Sequence, residues 1–330
     1  MPYKVLVLSP VPEPLVKSLA LPIAEKYGVP LVAVEFKTVF VADYELVKRA
    51  GADADAVLGD YTLRIGIPAD VCEALGRAKL IAQPGARYGH IDVEACARRG
   101  VPVSTAPAEA AAVAEHAVML ALMLVKRALY AHNKLAEGVW AQGELAEIVG
   151  EIYGKTWGIV GMGEDGLETA ARAAALGARL AYYDPAVAEA GGFTRLPLDK
   201  LLSESDVVSV HSSPAPRAAV IGERELRLMR PSAVLVFVAG AEFVDADAVA
   251  EAVREGRIAG AAFDVFSPEP PPPDHPLLRL AREGYNVVLT PHVGGATPEA
   301  RRRAIAAALE NIFRVLAGQR PLNVVNMPRG

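Results

Sequence analysis

Short runs rich in aliphatic and β-branched residues alternate with helical patterns along nearly the whole chain, and this alternation limits the fold more than any other feature. The runs are "KVLVLS", "LVAVEF", "AVLGD", "LIAQPG" and "VPVST", then "TWGIVG", "ARLAYYD", "DVVSVH", "AVLVFVA", "AAFDVF" and "NVVLTPH". Strands that alternate with helices build parallel sheets covered on both faces. With 330 residues, the chain is also too long for one ordinary core. The expectation is an α/β protein of two doubly wound parallel-sheet domains. Between the two sets of strands, Ala108 to Trp140 is an Ala-rich helical segment too long for a simple crossover. It is expected to open the second domain and to offer an oligomer interface. Near the C-terminus, Ile305, Leu309, Ile312, Phe313 and Leu316 recur at helical spacing and predict one buried face. "PEPPPPDHP", from Pro268, reads as a stiff, extended surface spacer, because proline fixes φ and donates no hydrogen bond.

Composition excludes several classes of function. Hydrophobic residues make up 52% and charged residues 22%, which suits a folded soluble protein. The net charge of −5, with no long basic run, gives no attraction for nucleic acid or an anionic membrane. No apolar run reaches the length of a bilayer span, and "MPYKVLVLSP" reads as a first strand rather than a signal peptide, so a cytoplasmic location is expected. Cys72 and Cys96 lie in unrelated surroundings without metal-ligand spacing. They read as buried, neutral thiols, and no metal is expected.

One stretch carries a cofactor signal. In "GIVGMGEDGLETAARAAALGARLAYYD", Gly161, Gly163 and Gly166 follow a predicted strand and open a helix. Gly161 allows the tight turn, Gly163 lets the backbone approach a pyrophosphate, and Gly166 permits close packing of helix on strand. The helix amino terminus then presents unpaired N–H groups to the phosphates. A second strand ends in Asp184, an acid suited to accept hydrogen bonds from a ribose and to repel a 2′-phosphate, so the expected cofactor is NAD. Glu164 and Asp165 are out of keeping with this loop, since negative charge near a pyrophosphate is unfavourable unless it points to solvent.

Taken in order, "GARYGHIDVEA", "AVAEHAVMLAL", the glycine loop with Asp184, "VDADAVAEAVREGRIAGAAFDVFSPEP", "TPHVGGATPEA" and "PLNVVN" resemble the D-isomer-specific 2-hydroxyacid dehydrogenase family over nearly the whole chain. The resemblance implies a flavodoxin-like substrate domain from residues 1–104 and 295–330, and a Rossmann NAD-binding domain inserted as residues 105–294. It implies hydride transfer between nicotinamide and C2 of a small 2-hydroxy or 2-oxo acid, in a homodimer joined through the inserted domain. His292 stands at the position of the family's acid/base, Glu269 at that of its carboxylate partner, and Asp264 at that of a buried supporting acid. Reducing a ketone requires a proton at the carbonyl oxygen as hydride arrives, and imidazolium is the natural donor near neutral pH. Singly, a histidine at a strand end and a glutamate among prolines each have a structural reading; their joint placement favours function. Ala86 and Arg87 fall in a loop whose backbone N–H groups meet the substrate carboxylate in relatives. His211 ends a strand near the cofactor side, and His116, on an apolar helix, reads as a packed, hydrogen-bonded core residue.

The chain also departs from the family pattern. Where relatives carry an asparagine and, three residues on, the arginine that grips the substrate carboxylate, this chain has Phe237 and Gly240. Losing one partner of a buried charge pair costs about 2 to 5 kcal/mol. That is roughly 30-fold to several-thousand-fold in transition-state binding. Arg87 stands where glycine is usual and is a candidate replacement, although it equally reads as a surface arginine that points away or blocks the pocket. Gly89 replaces a usual Asp, Glu109 a usual Asn and Ala215 a usual Thr. "GDYT", with Gly59, Asp60 and Tyr61, lacks the arginines of phosphoglycerate enzymes and disfavours a phosphorylated substrate. Two readings follow: an oxidoreductase with altered carboxylate recognition, or a catalytically impaired NAD(H)-binding homologue acting as sensor or structural partner.

Overall fold

The computed structural model describes residues 2–211, 221–239 and 243–326. The first strands and helices run β1 (Tyr3–Val7), α1 (Glu13–Tyr27), β2 (Val34–Thr38), α2 (Tyr44–Gly51), β3 (Ala56–Leu58), α3 (Ala69–Ala74), β4 (Ile81–Pro84), α4 (Val93–Arg98) and β5 (Val103–Ala106). Then come α5 (Ala110–Val125), α6 (Ala128–Ala136), α7 (Gln142–Ala146), β6 (Thr156–Val160), α8 (Glu164–Ala175), β7 (Arg179–Tyr183), β8 (Thr194–Arg195), α9 (Leu198–Glu204) and β9 (Val207–Val210). The rest is α10 (Glu223–Leu228), β10 (Val234–Phe237), α11 (Ala246–Arg254), β11 (Gly260–Phe263), α12 (Pro276–Arg282), β12 (Val287–Leu289) and α13 (Pro298–Leu316). Contacts divide the chain into one unit of Met1–Glu109 with Pro298–Gly330 and another of Ala110–Thr297.

In the first unit all strand pairs are parallel, in the order β2-β1-β3-β4-β5, which is the flavodoxin-like winding. Strands buried on both faces need apolar side chains in succession, and Val5, Leu6, Val7, Ala56, Val57 and Leu58 meet that need. Asp43 and Asp92 cap α2 and α4 by accepting from the N–H groups of Leu46 and Ala95. The predicted face of α13 is buried: Ile305, Leu309, Ile312, Phe313 and Leu316 pack into the cluster that holds Val16 and Ala20 of α1. Beyond α13 the chain is tied back by Asn326, whose side chain accepts from Val103 N and donates to Val93 O and Val101 O.

In the second unit the order β12-β11-β10-β9-β6-β7-β8 is again wholly parallel, with the switch point between β6 and β9. Ala117, Leu120, Ala121 and Leu124 of α5 pack with Ala170 and Ala173 of α8 and with the buried Trp157, the small residues allowing close approach. The Ala-rich segment is not one helix: it breaks at Arg127, whose φ of 50° leaves the helical region before α6 begins. Among the described residues, no helix is long and apolar enough to cross a membrane.

The cysteines correct an expectation. Cys72 and Cys96, read above as neutral thiols in unrelated surroundings, form a disulfide joining α3 to α4 inside the first unit. The parallel bridge between Ile67 and Ile91 brings the two helix starts together, a tertiary proximity that sequence spacing does not reveal. Closing a loop across a sequence separation of 24 restricts the unfolded chain and stabilises by ~3 kcal/mol. Urea unfolding should therefore show the reduced protein weaker by about that amount, with a Cys72–Cys96 peptide recovered only without reductant. Equal stability in both states would refute the crosslink.

Candidate active site

The C-terminal ends of the second unit's strands bring several of the singled-out residues together. Just past β11, the Asp264 carboxylate collects hydrogen bonds from across the sheet end. Its Oδ1 accepts from the Thr290 hydroxyl at 2.6 Å and from Val293 N at 2.9 Å, and its Oδ2 accepts from Gly294 N at 2.8 Å. Its backbone carbonyl accepts from His292 N at 2.8 Å. Three successive amides, 292 to 294, are thus held by one residue. His292 itself has φ 53°, in the left-handed region that non-glycine residues avoid at a cost of roughly 1–3 kcal/mol. A hydrogen bond to a charged acceptor is worth about 1.5–3 kcal/mol, so the bonds to Asp264 outweigh the strain. Burial would raise the Asp264 carboxyl, but hydrogen bonds from His116, Thr290 and the amides of Gly294 and Val293 prevail and lower it to about 2.

The turn presents His292 to Glu269. His292 Nδ1 lies 2.7 Å from Glu269 Oε2 and 2.9 Å from Oε1, and Oε1 also accepts from Phe266 N at 3.0 Å. The proline-rich loop, read from sequence as a spacer, therefore carries a carboxylate to the imidazole. With Nδ1 engaged, Nε2 is the ring nitrogen left for a substrate. The two side chains remain 41% and 35% exposed, open enough for a small molecule to reach them.

The glycine loop has the geometry a pyrophosphate requires. Gly161 has φ 89° and donates its N–H to Tyr183 O, and a Cβ on Gly166 would lie 2.2 Å from Gly161 O, so only glycine fits there. Gly163 is the N-cap of α8, which begins at Glu164. The acidic pair splits: Glu164 is exposed, whereas Asp165 turns inward, with Oδ2 3.9 Å from Nδ1 of the fully buried His211. That separation is beyond a direct hydrogen bond. Burial lowers the pKa of His211 while Asp165 opposes it. The Ser209 hydroxyl accepts from Trp157 Nε1 at 2.8 Å and lies 2.9 Å from His211 Nε2.

Asp184 differs from its expected pose. It is fully buried, its Oδ2 accepting from Met162 N at 2.8 Å and its Oδ1 from Ala186 N at 2.8 Å and Val187 N at 3.2 Å. The glycine loop after β6 and the turn after β7 leave these N–H groups without strand partners, and the carboxylate satisfies them, so it braces the glycine loop instead of facing outward.

In the first unit, the loop after β4 starts at Gly85, with φ 84°, whose N–H and C=O pair with Ala106. Ala86, Arg87, Tyr88 and Gly89 follow, all exposed. Among the described residues, none accepts a hydrogen bond from the N–H groups of Ala86 or Arg87. Asp60 is buried and folds its own loop, accepting from Thr62 and from the N–H groups of Arg64 and Ile65, while the Tyr61 hydroxyl accepts from Arg301. Phe237, at the family's asparagine position, is buried and stacked on Phe263 at 5.2 Å. Gly240 and Ala215 lie outside the described residues. His116, passed over as a core residue, is the site member that sequence reasoning missed: its Nε2 reaches Thr290 Oγ1 at 2.9 Å.

Known proteins resemble this chain in sequence and fold. Residues 118–294, inside the second unit, match the family model described as D-isomer specific 2-hydroxyacid dehydrogenase, NAD binding domain. The chain is 38% identical over 282 residues to a glyoxylate reductase of Korarchaeum cryptofilum, covering 83% of each chain. It is 35% identical over 271 residues to a D-3-phosphoglycerate dehydrogenase of Archaeoglobus fulgidus, covering 79% of this chain and 50% of that one, so it spans about half the length of that relative. The NAD-complexed D-isomer specific 2-hydroxyacid dehydrogenase of Lactobacillus delbrueckii ssp. bulgaricus has the same fold, with a TM-score of 0.82 and 26% identity over 98% of this chain and 100% of that one. Two parallel sheets, a glycine loop at the switch point and matches of this extent lead to one conclusion: the chain belongs to the D-isomer-specific 2-hydroxyacid dehydrogenase family and carries its NAD-binding domain.

Proposed function

We propose that the protein is an NAD-dependent oxidoreductase acting on a small, non-phosphorylated D-2-hydroxy or 2-oxo acid, with an altered grip on the substrate carboxylate. The observation that carries this reading is the His292–Glu269 pair, held at 2.7 Å in a turn clamped by Asp264. The unit of Ala110–Thr297 serves as the cofactor domain and that of Met1–Glu109 with Pro298–Gly330 as the substrate domain. The cytoplasm, where the cofactor pool lies, is the proposed location.

Gly161, Gly163 and the amino terminus of α8 would hold the pyrophosphate of NADH, which would supply the hydride, and Asp184 keeps that loop in shape through Met162 N. His292, protonated, gives the Nε2 proton to the substrate's carbonyl oxygen, and in the reverse direction takes it back. Glu269 fixes the ring through Nδ1 and offsets the positive charge that the ring carries before transfer. The open N–H groups of the loop at Ala86 and Arg87 suit a carboxylate. Arg87 then supplies the positive charge that relatives draw from the position of Gly240. No arginine precedes Thr62, Asp60 is committed to its own loop, and the nearby Arg301 is engaged by the Tyr61 hydroxyl, which disfavours a phosphorylated substrate.

Exposed apolar side chains on the second unit supply an interface. Leu135, Val139, Ile148, Val149 and Trp140, the last 77% exposed, lie on and beside α6 and α7. Such a patch marks a contact surface, and a second copy of the chain is its proposed occupant.

Three outcomes are expected. His292→Ala should lower kcat for NADH-dependent reduction of a 2-oxo acid by about 10²- to 10⁴-fold in a stopped assay, with a smaller loss in Glu269→Gln. In a panel of 2-oxo acids, Arg87→Ala should weaken kcat/KM, and Gly240→Arg should raise it by roughly 30-fold or more. A silent parent whose Gly240→Arg variant is active would support the impaired homologue instead. Sedimentation should show a dimer that Trp140→Glu dissociates; a parent that stays monomeric would refute the interface.

A further inference from the structure

We propose that His116 is a positioning residue for His292, acting through Thr290 and Asp264; the inference rests on the reading of His292 as the proton donor. His116 sits on α5, remote in sequence from the strand ends it meets. Its Nε2 lies 2.9 Å from Thr290 Oγ1 and 3.2 Å from Asp264 Oδ1.

Proton bookkeeping assigns its role. Asp264 is a carboxylate and can only accept, and the single Thr290 hydroxyl proton goes to Asp264 Oδ1 at 2.6 Å. The hydrogen between His116 and this pair must therefore come from His116, which carries a proton on Nε2 and donates it. His116 Nε2 donates to Thr290 Oγ1 with its edge 3.2 Å from Asp264 Oδ1, Oδ1 receives Thr290 and Val293 N, and Oδ2 receives Gly294 N. The contact is also steric. A Cβ on Gly294 would lie 2.9 Å from Asp264 Oδ2 and 3.3 Å from His116 Cδ2, so carboxylate, imidazole and the turn after His292 touch with no space for a methyl group.

The consequence concerns the left-handed turn. Asp264 must keep one rotamer for its two oxygens to hold the amides of Val293 and Gly294, and its carbonyl to hold that of His292. His116 braces that rotamer from the helix side, as the second hydrogen bond of a ligand histidine fixes its partner in metal sites. Remove the donor and the carboxylate is freer to rotate, the turn loosens, and His292 samples poses away from the substrate. A misplacement of about 1 Å can lower a rate about 100-fold.

The test uses the full-length protein and two readouts. His116→Phe keeps the volume and loses the donor; His116→Gln restores an N–H at a similar reach; Thr290→Val cuts the same network from the other side with little change in volume. Amide hydrogen exchange at Val293 and Gly294 should accelerate in His116→Phe and Thr290→Val. Turnover of the parent's best 2-oxo acid should fall roughly tenfold in kcat with KM nearly unchanged, and His116→Gln should return both readouts towards the parent. Exchange and kcat equal to the parent's in both His116→Phe and Thr290→Val would overturn the inference. So would faster exchange with unaltered kcat. Failure of the underlying functional reading has a different signature: a parent that binds NADH and turns over no 2-oxo acid.

Discussion

The candidate chemistry of this protein depends on a single buried carboxylate. Asp264 holds three consecutive backbone amides and the Thr290 hydroxyl, and so imposes on His292 a left-handed backbone that a non-glycine residue does not adopt without support. Everything at the proton-donating end of the site is built outward from it. The turn fixes the direction of the imidazole, the imidazole meets Glu269, and Glu269 is brought there by a proline-rich loop that also donates Phe266 N to it.

The parallel sheet explains why these groups gather. In a doubly wound sheet the loops that follow the strands share one edge. Here the glycine loop follows β6, Asp184 follows β7, His211 follows β9, Asp264 follows β11 and Thr290 and His292 follow β12. Residues far apart in the chain become neighbours because the strands all run the same way. The helix on the opposite side of those loops adds the last member, since α5 packs its apolar face on α8 and the sheet and so carries His116 to the strand ends.

Much of this architecture can be read from the chain itself. Strongly patterned runs gave away the parallel strands, and the heptad-like spacing in α13 gave away its buried face, because burial on both faces of a sheet or one face of a helix leaves a period in the sequence. β8, with Thr194–Arg195 only, is too short to leave one. The break at Arg127 escaped notice because nothing in "VKRALY" opposes a continuous helix. Cys72 and Cys96 meet only because α3 and α4 lie side by side, which spacing does not encode. At the site, the histidine and glutamate could be singled out through motif resemblance. The inward turn of Asp165, the commitment of Asp184 to Met162 N and the reach of His116 to Thr290 are side-chain choices made by partners distant in sequence.

The central claim is that this scaffold delivers hydride to C2 of a 2-oxo acid while His292 protonates the oxygen. Its most direct test is isotopic: the purified protein is given NADH bearing deuterium at C4 of the nicotinamide together with a 2-oxo acid such as pyruvate, and the product is analysed by NMR. The account predicts a 2-hydroxy acid of D configuration with one deuterium at C2 for each NADH consumed. NADH that binds without being consumed, or is consumed without deuterium reaching C2, would contradict it.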